Sequence, residues 1–349
     1  MHKLVNMAVA GAGYWGKNHL RILNELGTAN LVCTIEKDLP RAKQFSRMYH
    51  IDYETSFDSA MTRKDIDGII IATPNSTHFQ LASKAIEHGK HVLVEKPMCL
   101  SSGETAKLID LAEENSVVLM AGHTFSFNSA VLKLKEIIDK GELGDIYFIL
   151  CSRLGIFPPR PDSGVILDLA IHDIDIVSLL VDRQLPITVT ATGKSYLRQL
   201  FEEIAFITLE HENDVVANLT SSWLTPAKIR SCWISGTERT AYIDLRPQTI
   251  EIFEQKIDKV PNSENNGLYD LITKEGMSYK PLIKAKEPLK EEDAHFIECI
   301  KNGNKPKVDG EIALKTVLVA EAAMDSLRNR KQIEMDNFVN EYHSYLRHS

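Results

Sequence analysis

The sequence predicts an α/β protein in two parts. Residues 1–122 are expected to form a parallel sheet covered by helices, and residues 123–349 an α+β unit with an open-faced, mainly antiparallel sheet. Three observations carry that prediction. Apolar runs alternate with helix-period segments up to residue 122; strand-type runs with little helix between them follow later; and a G-x-G-x-x-G pattern, Gly11, Gly13 and Gly16, stands directly after the first apolar run.

Taken in order, Val5–Ala10 reads as the first strand and Lys17–Leu26 as the first helix. In that setting Gly11 permits a tight turn, Gly13 lets a phosphate approach bare backbone, and Gly16 lets the helix pack on the strand. A dinucleotide pyrophosphate would then lie at the helix's amino end, where unpaired N–H groups and the dipole favour negative charge. Tyr14 and Trp15, inside the pattern, count with the cofactor-binding residues. The second strand, Leu31–Ile35, runs into Glu36, an acid about 20 residues past the last glycine and placed to hold the adenosine ribose hydroxyls. A carboxylate there repels a 2′-phosphate, so NAD is expected rather than NADP. An ordinary glycine turn with an acidic loop residue is the alternative. Strands Gly68–Ala72, His91–Glu95 and Val117–Ala121 and helices Pro40–Tyr49, Thr77–His88 and Ser101–Asn115 complete this part. They are apolar on both faces, as buried parallel strands are. Ligands bind beyond the carboxyl ends of such strands, which singles out the loops after Ala10, Ile35, Ala72 and Val94.

After His123 a helix, Ala130–Lys140, leads to strand Asp145–Arg153, a proline-rich loop and a helix at Val165–Val181. Strands are expected at Thr188–Leu197, Glu203–Glu210, Val215–Trp223, Arg230–Gly236 and Thr240–Leu245, a polar irregular loop at Asn262–Lys286, and helices at Leu289–Asn302 and Glu311–Asn329. One sheet face packs on helices; a second subunit is expected to cover the other, making a homodimer or homotetramer.

The chain of 349 residues is long enough for two cores, and 44% hydrophobic with 25% charged residues is ordinary for a globular protein. No apolar run is long enough to cross a bilayer and MHKLVNM leads straight into the first strand, so neither a membrane nor a secretory route is expected. Five scattered cysteines without a CxxC pair suggest neither a disulfide framework nor a zinc knuckle; the cytoplasm is the expected compartment. A net charge of −8 argues against nucleic acid as partner.

Lys96 follows a buried strand at its carboxyl end, where its ammonium reaches the cleft edge, loses solvation and becomes fit to hold or share a proton with a substrate oxygen. Pro97 pushes Lys96 towards extended geometry, and Glu95 is placed to pair with backbone or ribose. The second candidate is the stretch Asp168-Leu-Ala-Ile-His172-Asp-Ile-Asp175. On a helix Asp168 and His172 share a face with Asp175; imidazole suits proton transfer near neutrality, and a carboxylate can orient it or hold a hydroxyl. A capped or solvated His-Asp pair and a divalent-metal site on carboxylates and imidazole one turn apart are the alternatives, and no metal is expected; a hydrolase using an HD pair would need further histidines, and His78, His123 and His295 offer no persuasive spacing. Thr73, Pro74, Asn75 and His78 belong to a loop able to cover the nicotinamide ribose, with Asn75 or Ser76 also able to cap the next helix. Arg160 borders the same cleft, and Lys228 and Arg230, two apart in an extended run, would face one side and grip a diphosphate. The alternative for these three is a solvated surface cation.

These segments, AGAGYWGKNH, ATPNSTH, VEKP, AGHTFSFN, GELGDI and DLAIHD, together resemble the Gfo/Idh/MocA oxidoreductases over nearly the whole chain. The resemblance implies an amino-terminal Rossmann domain, a carboxyl-terminal open-faced sheet domain often used in oligomers, and Lys96, Asp168 and His172 as the catalytic set. GYWGKNHLR, RPDSGVILDLAIHD and SSWLTPAKIR look like members acting on sugar nucleotides, above all the UDP-N-acetylglucosamine or glucosaminuronate 3-dehydrogenases. Ser129, where a proline is common, and Ser163–Ile166, in place of a glycine-rich or asparagine-containing approach to Asp168, depart from the pattern. The expected activity is NAD-dependent oxidation of a secondary sugar hydroxyl. A free-sugar or inositol dehydrogenase, an NADP-using keto-sugar reductase, a glycosidase storing hydride on NAD and a non-catalytic NAD-binding regulator are the alternatives.

Overall fold

The computed structural model describes residues 4–157, 160–197, 200–261 and 269–346. The first unit comprises β1 (Val5–Ala10), α1 (Gly16–Glu25), β2 (Ala29–Ile35), α2 (Leu39–Tyr49), β3 (Asp52–Glu54), α3 (Phe57–Met61), β4 (Gly68–Ile71), α4 (His78–Glu87), β5 (His91–Glu95), α5 (Ser102–Glu114) and β6 (Leu119–Gly122). Its six-stranded sheet has the order β3-β2-β1-β4-β5-β6 with every pairing parallel. The order reverses between β1 and β4, and a crevice opens there at the strands' carboxyl ends. Helix starts follow local chemistry: Asp38 accepts from Arg41 N–H ahead of α2 and Ser101 from Glu104 N–H ahead of α5.

The second unit holds α6 (Ser129–Asp139), β7 (Ile146–Ile156), α7 (Ile171–Leu180), β8 (Thr188–Lys194), β9 (Ile204–Glu210), β10 (Val216–Ser222), β11 (Leu224–Gly236), β12 (Arg239–Asp244), β13 (Thr249–Pro261) and β14 (Tyr269–Tyr279). It continues with α8 (Pro288–Asn302), α9 (Gly310–Asn329), β15 (Ile333–Glu334) and α10 (Met335–Leu346). Nine strands form one sheet in the order β14-β13-β12-β11-β7-β10-β9-β8-β15, antiparallel except for the central β7–β10 pair. One face packs on α6, α7 and α9; along β7 the other shows Phe148 and Leu150 to solvent while Ile149 and Cys151 are buried.

The structure differs from expectation in several elements. The polar stretch expected as a loop at Asn262–Lys286 contains β14, whose residues 269–279 pair with β13, itself unexpected; residues 262–268 lie outside the described ones. A neighbouring strand supplies this backbone pairing, which a polar composition does not announce. Strand Thr188–Leu197 stops at Lys194, and the strand expected to begin at Arg230 begins at Leu224, with an irregularity before Ile229. The short β3, α3 and β15 were not foreseen, since a few residues show no period. Helix α8, far along the chain, packs into the first core through Leu289, Phe296 and Ile297.

Candidate active site

The turn between β1 and α1 is built around missing side chains. Gly11 has φ +85°, and a Cβ there would meet Ala72 O at 2.6 Å; a Cβ on Gly16 would stand 1.6 Å from Gly11 O. At Gly13, by contrast, a Cβ would find no atom within 4 Å, so the backbone faces open space at the amino end of α1. That space belongs to a cavity of about 560 Å³ lined by Gly11, Gly13, Tyr14, Trp15, Glu36, Thr73, Pro74, Asn75, His78, Glu95, Lys96 and Arg160. Gly16 is buried beneath the turn and packs rather than lines. Glu36 Oε2 accepts from Ala12 N–H at 2.9 Å and its Oε1 from Asp38 N–H at 3.0 Å, which fixes the carboxylate at the cavity rim. Open backbone beside Gly13, a helix terminus and an acid at the end of β2 are together the donor set and space a dinucleotide requires.

The loop after β4 is tied across the cavity mouth. Asn75 Nδ2 donates to Ser163 Oγ at 3.2 Å and Ser76 N–H to Asp162 Oδ2 at 3.3 Å. Neither Asn75 nor Ser76 caps α4 with its side chain, unlike the cap the sequence predicts; the preceding 3-10 turn, Asn75–Thr77, takes over that junction. Both ring nitrogens of His78 face carbonyls, Pro97 O at 2.8 Å and Thr73 O at 3.0 Å, so its imidazole binds two loops together.

At the inner end Lys96 is buried, and its Nζ donates to Asp168 Oδ1 at 3.1 Å and to Asp168 O at 2.6 Å. Asp168 Oδ1 also accepts from Arg160 Nε at 3.0 Å, and Oδ2 from Trp223 Nε1 at 3.1 Å. Burial pushes the Lys96 ammonium below its ordinary range; Asp168 opposes that and Arg160 adds to it. Burial alone would raise Asp168, but Lys96, Arg160 and Trp223 hold its carboxyl below the usual value. His172 is held well below the ordinary histidine value, first by burial and then by Lys96, Arg153 and Arg230, so its imidazole is neutral at pH 7. Its ring meets Phe125 edge-on, centroids 5.1 Å apart.

The expected helix over Val165–Val181 is interrupted. Ile166–Ala170 forms a π-turn before α7, a wide turn of the kind found at functional sites. Around this turn Asp168, His172 and Asp175 take different partners. Asp168 turns to Lys96, His172 packs on Phe125, and Asp175 pairs with Ser126 Oγ at 2.7 Å and Arg183 at 2.6 Å. Asp173 likewise pairs with the fully buried Arg153, at 2.6 Å, and not with His172. Lys228 and Arg230 stand beside one aromatic ring, 5.9 Å and 5.8 Å from the Phe157 centroid. The Arg230 guanidinium is pushed down to about 10 by burial and by Arg153.

The departures noted above have structural partners: Ser163 receives Asn75, and Ser129 Oγ accepts from Lys286 N–H at 3.1 Å. Sequence reasoning assigned no role to Trp223, Arg153, Phe125 or His19. The last had a readable signal, a histidine on the helix face otherwise buried as Gly16, Leu20 and Leu23.

Fold and cavity together define a two-domain dinucleotide-binding protein whose cleft reaches the buried Lys96, with the Asp168 carboxylate against its amine. Comparison with known proteins carries this further. The profile described as "Oxidoreductase family, NAD-binding Rossmann fold" matches residues 5–123, and "GFO/IDH/MocA C-terminal domain" matches residues 131–242. The chain is 30% identical to UDP-N-acetylglucosamine 3-dehydrogenase of Acidithiobacillus ferrooxidans over 72% of its own length and 78% of that protein. It is 29% identical to scyllo-inositol 2-dehydrogenase (NAD(+)) of Bacillus subtilis (strain 168), over 96% of its length and 98% of the relative. A solved structure of UDP-N-acetylglucosamine 3-dehydrogenase from Acidithiobacillus ferrooxidans superposes with a TM-score of 0.79 at 25% identity, covering 93% of this chain and 98% of that one. The chain belongs to the Gfo/Idh/MocA family and is an NAD-binding oxidoreductase.

Proposed function

We propose that this oxidoreductase removes hydride from a secondary alcohol carbon of a sugar, and that the sugar is a nucleotide sugar of the UDP-N-acetylhexosamine type oxidised at C3. The observation that carries the chemistry is the Lys96 Nζ–Asp168 contact of 3.1 Å at the inner end of the glycine-lined cavity. NAD, when bound, supplies the hydride acceptor. His172, kept neutral by burial and then by its cationic neighbours, takes the proton of the hydroxyl. Lys96 holds the same oxygen and stabilises the charge that grows on it; Asp168 anchors Lys96. Ser163, Asp162 and the loop after β4 hold the cleft walls together and help exclude water.

The nucleotide-sugar reading draws support from Lys228 and Arg230, two cations beside Phe157. Arg230 Nε is buried and meets no hydrogen-bond partner among the described residues, which suits the approach of a diphosphate. The relative acting on UDP-N-acetylglucosamine points the same way. A polyol dehydrogenase is the second reading, favoured by the scyllo-inositol 2-dehydrogenase match over nearly the whole chain. The test is NADH formation with NAD and, separately, UDP-N-acetylglucosamine, its uronate, free N-acetylglucosamine and scyllo-inositol. Turnover confined to the UDP sugars is expected. Turnover of the free polyol alone would transfer the assignment to the second reading.

Self-association through the open sheet belongs to the same proposal. Phe148 and Leu150 on β7, Trp233 on β11 and Phe206 on β9 are each 38–45% exposed on the one sheet, an apolar face suited to a second copy. Sedimentation should show Leu150→Glu as a lighter species than the unaltered protein; an unchanged mass would remove this face from the account.

A further inference from the structure

Next to Lys96 in the chain begins a line of buried groups that the proton chemistry above does not use. Glu95 is buried; its Oε2 accepts from the Lys96 backbone N–H at 3.2 Å and its Oε1 faces His19 Nε2 at 3.1 Å. His19 is fully buried on α1, the helix whose amino end faces the cavity, and its Nδ1 lies 2.9 and 3.0 Å from the two oxygens of Asp293 on α8. Burial works against a charge on His19, but Asp293 at one ring nitrogen and Glu95 at the other raise it well above the ordinary histidine value, so the ring is an imidazolium. The same geometry leaves no lone pair for a metal ion, although Glu292 also crowds His19.

We propose that His19 is a positioning residue for Lys96: hydrogen-bonded to Asp293 at one nitrogen and to Glu95 at the other, it fixes the carboxylate that accepts from the Lys96 backbone N–H, and through that carboxylate sets the proton affinity of the Lys96 amine. The residues on all sides agree with this. Lys96 faces Asp168 and Arg160 on the cavity side, His172 on α7 and His123 after β6; Glu95 faces His19, Lys96, His78, His123, Glu292 and Asp293. Of these, Asp168 and Glu95 supply the negative charge that favours the ammonium. Burial is the largest influence on Glu95 and pushes it towards the neutral acid; His19 reverses that. Removing His19 therefore removes the negative charge of Glu95 as well, and Lys96 loses its proton at lower pH. The buried pair also ties the cofactor helix α1, the end of β5 and helix α8 to one point.

The inference rests on Lys96 being the group that meets the substrate oxygen, but its test requires no sugar. In the full-length protein, the rate of Lys96 acetylation by acetic anhydride is measured against pH by mass spectrometry of the Lys96 peptide. The midpoint is expected to fall by about one pH unit in Glu95→Gln and in His19→Gln, and no further in the double variant. Asp293→Asn should give a smaller fall of the same sign. A midpoint that stays at the unaltered protein's value in any of these variants with a cooperative thermal transition would overturn the proposal, as would a rise. A structural role alone would lower the melting temperature and leave the midpoint where it was, and Glu95→Gln, nearly isosteric, keeps the test decisive should His19→Gln fail to fold. Failure of the nucleotide-sugar reading would appear in the NADH assay and leave these midpoints unaffected.

Discussion

The two halves of the cleft are constructed on opposite plans. The cofactor half is made of backbone: Gly11, Gly13 and Gly16 lie within six residues, and what matters at each is the absence of a Cβ. The inner half is made of polar side chains, Lys96 just past β5, Arg160 from the loop before α7, Asp168 from the π-turn and the Trp223 indole between β10 and β11, and what matters is their balance in a buried place. The first fails when atoms are added, the second when atoms are removed.

That contrast can be tested from its strongest consequence downward. Lys96→Ala and His172→Ala should each lower kcat by roughly 10²–10⁴-fold while NAD affinity, read by fluorescence titration, stays within a few fold. Full turnover in either would dissolve the inner half as a chemical unit. Next, Asp173→Ala strands the buried Arg153 guanidinium and should cost about 3–5 kcal/mol in denaturant melts without touching the glycine turn. Equal stability would show that this charge pair is not sealed from water.

In the cofactor half, Gly13→Ala and Gly16→Ala should separate cleanly. Gly16→Ala drives a methyl into Gly11 O and should lower both stability and NAD affinity. Gly13→Ala meets no protein atom, so its melting temperature should hold while NAD affinity falls by roughly tenfold, about 1.4 kcal/mol. Glu36→Ala should narrow the preference for NAD over NADP by a similar factor; an unchanged ratio would mean that this carboxylate does not face the ribose. The smallest effect concerns pH. His172 is depressed by burial and then by Lys96, Arg153 and Arg230, so the acid limb of kcat/KM should fall below pH 6.5, the ordinary histidine value. Arg230→Gln removes one of those cations and should move the limb upward by ~0.5 unit. A limb already at the ordinary value would indicate that His172 is solvated.

Legibility followed the same division. The glycine turn, β1, α1, β2 and Glu36 were readable because each is specified by neighbours in the chain: a period, a missing Cβ, an acid at a set spacing. Lys96 was readable as a strand-end lysine and Asp168 and His172 as a polar island in an apolar helix. Their partners were not. The pattern gave no hint that Trp223 reaches Asp168 across 55 residues, or that His19 meets Asp293 across 274. Nor did it show that Asp173 serves Arg153 and Asp175 serves Arg183.

The sequence by itself determined the class of fold, the glycine turn of the NAD-binding domain and the candidate polar side chains, because those depend on local backbone freedom and on the period of apolar residues. Tertiary structure alone decided which charge faces which. Asp168, inside a π-turn, meets Lys96 across 72 residues, a strand pairing converts a polar stretch into β14, and helix α8 returns to bury Asp293 against His19. The physical reason is that a buried charge takes its state from whatever packing brings within a few ångströms, and separation along the chain carries no information about that distance.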